Sequence, residues 1–203
     1  MTTDLIQEIK KRRSIRKYKQ TPVKKEVIEE IIQAGKYAPS AKDRQPWRFI
    51  VITDGDTIQD ISRVIKLEIK KILKKRFFLK IKYPLLRDNN IIRFLATTAF
   101  AKEDILFFNA PVLIFIVTEN KLFYDQSCAC CAQNMMLAAH SLSIGSCWVG
   151  FAQFLQENET WLRKIGVPKE FHISAALIFG YPEGEPIRPS MRKPLADVIN
   201  WIS

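Results

Sequence analysis

Three arginines and a serine crowd into five positions near the start of the chain, Arg12-Arg13-Ser14-Ile15-Arg16. Guanidinium forks match phosphate oxygens two at a time and a hydroxyl adds another donor, so this cluster can grip a phosphate. The same arginines can also complement the negative end of an opening helix. A second group, Ala38 to Phe49, holds Pro39 and Pro46 and delivers Gln45-Pro46-Trp47 into a strand. A loop stiffened in this way is a platform for small-molecule contacts. The third group runs from Leu142 to Phe151 through Gly145-Ser146-Cys147-Trp148-Val149 to Gly150. There the backbone N–H groups of Gly150 and Phe151 can approach a flat ring, because Gly150 has no side chain in the way.

Other chemistries lack their residues. No two of the seven glycines stand two positions apart, so there is no G-x-G-x-x-G, and Gly145 with Gly150 has P-loop spacing but Phe151 where lysine is required. No G-x-S-x-G occurs, and His140 on an apolar helix reads as a core or interface residue. Cys128, Cys130 and Cys131 share one helical turn, too close to staple distant segments. Cys128 and Cys131 form a C-x-x-C, which at a helix N-terminus could exchange disulfides; small apolar side chains packing a helix in a reducing compartment is the favoured reading. Neither His140 nor His172 has a second ligand at zinc spacing, so no metal is expected.

The elements that must position these groups are legible in outline. The 203 residues, 47% hydrophobic and 26% charged, suit one folded domain and exclude wholesale disorder. The pattern predicts helices at Asp4 to Arg12 and Lys24 to Tyr37, then a strand from Arg48 to Thr53. Asp56 to Leu79 reads as a long basic helix with room for an interruption, Pro84 to Thr98 is undecided, and Lys102 to Asn109 reads as a short helix. Pro111 to Thr118 reads as a buried strand and Asp125 to Ser143 as a helix apolar nearly all round, hence central or at a subunit interface. A strand at Cys147 to Gly150, a helix at Leu155 to Ile165, a strand at His172 to Gly180 and a helix at Leu195 to Trp201 complete the reading. The longest apolar run, Ala110 to Val117, is too short to cross a bilayer, and the first residues lack a secretory profile, so a soluble cytoplasmic protein is expected.

Charge is concentrated in one place. The chain carries 32 Lys and Arg against 21 Asp and Glu, a formal charge of +11. Lys66 to Arg87 holds nine basic residues and one acid, Glu68, and so accounts for +8 of it. Nucleic acid or an anionic membrane could use such a patch. Ile61, Ile65, Ile69, Ile72 and Leu73 recur beneath the lysines at helical spacing, however, so a solvated face over a buried stripe is expected, with neither nucleic acid nor membrane as partner.

Taken in order, these motifs resemble the nitroreductase family of FMN-dependent oxidoreductases. The carriers are Arg12-Arg13-Ser14 with Arg16, Ala38-Pro39-Ser40 leading to Gln45-Pro46-Trp47, and the Asp125 helix with Gln133-Asn134-Met135. Gly145 to Gly150, Gly180-Tyr181-Pro182 and Arg192-Lys193-Pro194-Leu195 complete the set. Only about residues 66–101 stay unmatched, where the family varies its substrate lid. The resemblance implies an α+β fold over residues 1–203, a three-layer sandwich with a mostly antiparallel sheet between helices, assembled as an intertwined homodimer with FMN at the interface. It implies that Arg12, Arg13, Ser14 and Arg16 hold the FMN phosphate and reach the pyrimidine side, and that Arg192 and Lys193 close on the phosphate. Pro39, Ser40 and Ala41 would reach the flavin of the other subunit, and Trp148, Val149, Gly150 and Phe151 would lie near flavin N5 and O4. NADH or NADPH would reduce the flavin, and a nitroaromatic, quinone or similar small acceptor would reoxidise it in a ping-pong scheme. No general base is nominated; Arg16 is the candidate for positive charge near flavin N1 and O2. Two alternatives accompany this reading. One is a flavoprotein of the same fold acting on another small molecule or on the flavin itself; the other is a non-enzymatic module using Lys66 to Arg87.

Overall fold

The computed structural model describes residues 5–79, 81, 84–184 and 191–202. Its centre is a four-stranded antiparallel sheet. β1 (Arg48–Ile52) pairs with β2 (Val112–Glu119), β2 with β4 (Phe171–Gly180), and β4 with β3 (Gly145–Trp148). β2 is buried on both faces over nearly its whole length, which is why its Val-Leu-Ile-Phe-Ile-Val run shows no polar alternation. Successive side chains point to opposite faces. Val112, Ile114 and Ile116 therefore join Ala175, Leu177 and Phe179 in one core, while Leu113 and Phe115 join Ala176 and Ile178 in the other.

Helices cover both faces. After α1 (Leu5–Lys11), α2 (Lys25–Lys36) and α6 (Tyr124–Ser141) close the first face, α2 burying Ile28 and Ile31. A Cβ at Gly35 would lie 2.5 Å from Cγ of Met135, so the glycine is what lets α2 sit this close to α6. The second face is closed by α3 (Gly55–Lys74), α5 (Asn89–Phe100) and α7 (Glu159–Lys164), with α4 (Arg76–Leu79) extending from the end of α3. α3 buries Ile58, Ile61, Ile65, Ile69 and Ile72, one per turn, each contributing about 1.5–3 kcal/mol. Asp54 caps it by accepting from the Thr57 amide at 2.8 Å. The α+β three-layer sandwich is thus the architecture that the sequence led us to expect.

Several boundaries differ, each for a local reason. Lys102 to Asn109 is not a helix. The Asp104 carboxylate accepts from the amides of Leu106 (3.3 Å), Phe107 (3.1 Å) and Asn109 (3.1 Å) and from Ser62 Oγ (2.7 Å), so a side chain takes the donors that a helix would have used. The long basic helix stops at Lys74 and resumes as α4. The expected helix at Leu155 to Ile165 divides into a 3₁₀ segment, Gly150–Glu157, and α7, because Asn158 caps α7 through the Trp161 amide. The undecided stretch after Pro84 holds a 3₁₀ turn, Pro84–Arg87, and α5, which Asp88 caps through the Asn90 amide. The terminal helix shrinks to one exposed turn, Leu195–Asp197, with no core beneath it. α6 is not apolar all round: Cys128, Cys131, Ala132, Met135, Met136 and Ala139 face inward, while Cys130 and Gln133 are exposed.

Candidate functional site

The basic cluster is not the last turn of α1. Arg12 to Arg16 leaves the helix and runs extended beside β3, with Ser14 bridged in parallel to Ser146 and the Ile15 amide donating to the Ser146 carbonyl at 3.0 Å. Tyr18 Oη anchors the turn by donating to the Ile15 carbonyl at 2.6 Å, and the Lys19 amide donates to the Tyr181 carbonyl at 2.9 Å. Gly145 makes the approach possible: a Cβ there would lie 2.9 Å from Cβ of Ile15. The first and third sequence groups, some 130 residues apart, become neighbours through this pairing.

A cavity of about 290 Å³ opens on one side of the pair, lined among others by Lys11, Arg12, Arg13, His140 and Ser146. Two polar atoms facing this region have nothing to bond: Arg12 Nη1 and Ser146 Oγ are both buried and without a partner, Ser146 being 2% exposed. Buried orphan donors are costly, so their presence in a cation-lined cavity points to an anion as the missing acceptor. Burial pulls the Arg12 guanidinium below its usual range; Cys147 opposes this and the nearby positive charges of Arg13 and Arg192 add to it. An anion would relieve both effects. Arg13 is otherwise engaged, donating through Nη1 to the carbonyls of Lys10 (2.6 Å) and Arg12 (2.8 Å). Glu8 Oε2 approaches His140 Nε2 at 3.5 Å, so His140 ties α1 to α6.

A second cavity, of about 230 Å³, lies further along the same strand and is predominantly apolar. Arg16, Phe108, Phe94, Trp148 and Phe151 are among its lining residues, with Arg16 Cζ 5.9 Å from the Phe108 ring centroid. Gly150 borders it, and a Cβ added there would meet nothing within 4 Å. The Val149 amide is already used by the Ala176 carbonyl at 2.9 Å, whereas Gly150 and Phe151 begin a 3₁₀ turn, whose first amides have no partner inside it. Cys147 lines this second cavity; burial pushes its thiol up against the opposing pull of Arg16, Ser14 and Arg12. Trp148, Gly150 and Phe151 also border a larger cavity of about 810 Å³ that reaches Asp125 and His172, whose Oδ1 and Nε2 lie 2.8 Å apart.

The loop residues expected to serve a second subunit's site stand apart from the cation-lined cavity. Pro39, Ser40 and Ala41 lie at the opposite end of α6, where the Ala41 amide donates to Ser127 Oγ at 3.2 Å. Thirteen residues separate Ser127 from His140, about 20 Å along the helix. The loop is itself strained: Lys42, Asp43 and Gln45 hold φ of 53°, 51° and 46°, and the Gln45 amide donates to Ser40 Oγ at 3.0 Å. Arg192 is exposed but near enough to Arg12 to repel it, and Lys193 is exposed beside it.

A sequence profile of the nitroreductase family matches residues 9–181. The chain belongs to the nitroreductase family. A candidate NADH dehydrogenase/NAD(P)H nitroreductase of Methanothermobacter thermautotrophicus is 29% identical over 188 residues, covering 90% of this chain and 80% of that one. A solved nitroreductase with bound FMN from Bacteroides fragilis has a TM-score of 0.81 at 24% identity, with the whole of both chains covered. A BluB-like flavoprotein from Clostridium difficile has a TM-score of 0.78 at 27% identity, covering 99% of this chain and all of that one. The oxidoreductase class implied by the motif order is therefore the class of the family.

Within this nitroreductase-family fold, the sequence did not single out Ser146, a small hydroxyl between Gly145 and Cys147, nor Phe94, Thr98 and Phe108, which come from stretches undecided or read as helix. Among the described residues there is no group of three or more His, Cys, Asp or Glu that could hold a metal ion. Cys128 and Cys131 are free and buried, with thiols pushed up by burial to about 11 and about 12, the reverse of an activated redox pair. No helix among the described residues is long and apolar enough to cross a membrane.

Proposed function

We propose that the protein is an FMN-dependent oxidoreductase that uses NADH or NADPH to reduce a small nitroaromatic, quinone or similar acceptor. One observation carries the reading: Arg12 Nη1 and Ser146 Oγ are buried without partners in a cation-lined cavity, beside an aromatic cavity on the same strand. The first suits a phosphate and the second a flat ring, which fits a flavin mononucleotide and not a bare anion. Bound there, FMN would supply a hydride acceptor and donor at N5, which is the whole of the redox chemistry. The chain's residues bind and tune. Arg12, with Arg192 and Lys193 closing from the late segment, neutralises the phosphate, and the Ser146 hydroxyl donates to it. Arg16 places a fixed cation at the ring end of the site, where reduction accumulates negative charge. Gly150 and Phe151 offer backbone donors to the ring edge, and Trp148 and Phe151 exclude water from its face.

The active form in this reading is a homodimer. Pro39, Ser40 and Ala41 stand too far from Arg12 to serve their own subunit's site, the exposed side of α6 is small and weakly polar, and Met191, Leu195, Val198, Trp201 and Ile202 are exposed on a segment with no core of its own. A second copy would cover these surfaces and complete each site. Four free cysteines agree with a reducing, cytoplasmic setting.

The test is direct. Purified protein is expected to be yellow, to elute at twice 23.5 kDa, and to bleach when NADH or NADPH is added without oxygen, colour returning with an acceptor. Colourless protein that takes up no FMN would overturn the proposal. A second reading is a flavoprotein of this fold acting on another small molecule, as the names of the iodotyrosine deiodinase relatives indicate for those proteins, or on the flavin itself. Flavin absorbance after many turnovers separates the two, since it recovers in the first case and is lost if the flavin is consumed.

A further inference from the structure

The basic segment has a component that a merely solvated face would lack. α3 buries its isoleucines and turns its lysines outward, and some of these are used within the fold. Lys66 Nζ donates to the carbonyls of Glu103 (2.7 Å) and Ala101 (3.1 Å), and Lys71 pairs with Glu68 at 2.9 Å. Glu68, the one acid of the segment, is buried and also accepts from Asn158 Nδ2 at 2.9 Å. Lys74, Lys75 and Arg76 are exposed, with no acidic partner among the described residues. They stand where α3 gives way to α4, and Phe77 and Phe78 follow directly, with Phe78 83% and the nearby Ile81 87% exposed. Lys70 Nζ lies 4.9 Å from the centroid of Phe100, itself exposed, which extends the apolar part of the patch onto α5.

A soluble helix end with two cores available does not need to hold large apolar side chains in water. Cations and aromatic tips together at a helix end are what an interfacial segment presents to lipid: ammonium and guanidinium heads reach headgroup phosphates while rings enter the acyl boundary. We infer that the α3–α4 end docks on an anionic lipid bilayer, with Lys70, Lys74, Lys75 and Arg76 on the headgroups and Phe77, Phe78 and Ile81 in the interface. A second copy is a poorer occupant, because an isologous contact would set these cations against themselves. Nucleic acid is poorer too, because beside the Phe77 and Phe78 rings the patch exposes aliphatic Ile81 and Leu67, which suit an acyl boundary and offer no stacking face to a base. The inference is independent of the flavin reading, since it needs only this surface.

The experiment is co-sedimentation of the full chain with vesicles of phosphatidylcholine alone or of equal parts phosphatidylcholine and phosphatidylglycerol. Partition into the anionic vesicles is expected to exceed that into neutral ones by at least about tenfold at 0.1 M salt and to fall steeply toward 1 M, where the screening length is only about 3 Å. Lys74→Ala/Lys75→Ala/Arg76→Ala should erase the anionic preference, a loss on the order of a hundredfold. Phe77→Ser/Phe78→Ser should weaken binding about tenfold while leaving its salt dependence in place. Flavin content and far-ultraviolet circular dichroism should match the parent in both variants, because every residue changed is exposed. Equal partition into both vesicles, no partition, variants that bind like the parent, or tighter binding to a single-stranded oligonucleotide than to anionic vesicles would each overturn the inference.

Discussion

The side chain of Ile15 occupies the space that a Cβ on Gly145 would require, 2.9 Å from Ile15 Cβ and Cγ2. Cβ is the branch point, bonded directly to the backbone, so the neighbour can yield only by moving the Arg12–Arg16 segment. Gly145→Ala should therefore destabilise the protein by about 1–3 kcal/mol and loosen the hold on flavin, because both cavities depend on that segment. Urea midpoints and the flavin-to-protein ratio after dialysis measure the two effects. Full flavin retention at parental stability would show that the close approach does not matter.

Arg12 makes a sharper prediction because its orphan Nη1 is assigned to a phosphate. Arg12→Ala should weaken FMN binding by about ten- to hundredfold, the range for losing a hydrogen bond to a charged group. Riboflavin, which lacks the phosphate, should bind the variant and the parent nearly alike. Titrations of both ligands by flavin fluorescence decide the matter, and an equal loss for both would place Arg12 elsewhere.

Arg16 borders the aromatic cavity instead, and its removal should be read in electron transfer. Arg16→Ala is expected to slow flavin reduction by NAD(P)H about tenfold or more and to lower the flavin's midpoint potential, because a preorganised cation favours the more negative reduced state. Anaerobic stopped-flow and dye-equilibrated titration report the two quantities. An unchanged potential with an unchanged reduction rate would remove Arg16 from the tuning role.

What was legible in the sequence follows from what is local. The six apolar residues of β2 and the amphipathic periods of α2 and α3 are set by burial, which leaves its mark in residue type, so β1, β2, β4 and the main helices fell close to their observed bounds, whereas β3 covers Gly145–Trp148 and not Cys147 to Gly150. The extended run of Arg12 to Arg16 was not legible as such, because basic residues after a helix continue it as readily as leave it. Only the pairing with Ser146, made possible by the missing Cβ of Gly145, decides the matter. Lys102 to Asn109 misled for a related reason: its helix-compatible residues lose to one carboxylate whose partners, Ser62 among them, are distant in sequence. The three motif groups were visible from the start, but that Pro39 to Ala41 stand at the far end of α6 from Arg12 is a fact of three dimensions.

That carboxylate can be tested. Asp104 gathers three amides and the Ser62 hydroxyl, and Leu106 and Phe107 beside it are buried. Asp104→Ala leaves several of these donors without an acceptor, so a loss of about 2–4 kcal/mol is expected, with Asp104→Asn retaining part of it through its remaining oxygen. Denaturant midpoints for the pair check the ordering. Two variants of equal stability would mean that the carboxylate's charge and geometry contribute nothing to this turn.

The cysteines give a pH prediction with a definite sign. Burial pushes the thiols of Cys128 and Cys131 up to about 11 and about 12, and Cys147 is raised as well. In the unfolded chain a thiol titrates near its ordinary value of about 8.5, so the folded state holds its protons more tightly. Stability from this source is fully present below that value and is lost as pH rises through the folded values. The urea midpoint should accordingly hold steady from neutral pH to about 8.5 and decline between about 9 and 12. In the native protein at pH 8 no more than one thiol per chain, the exposed Cys130, should react with Ellman's reagent, and all four should react in denaturant. Rapid native labelling of Cys128 or Cys131 would revive the disulfide-exchanging pair, because it would require a thiolate that burial here opposes.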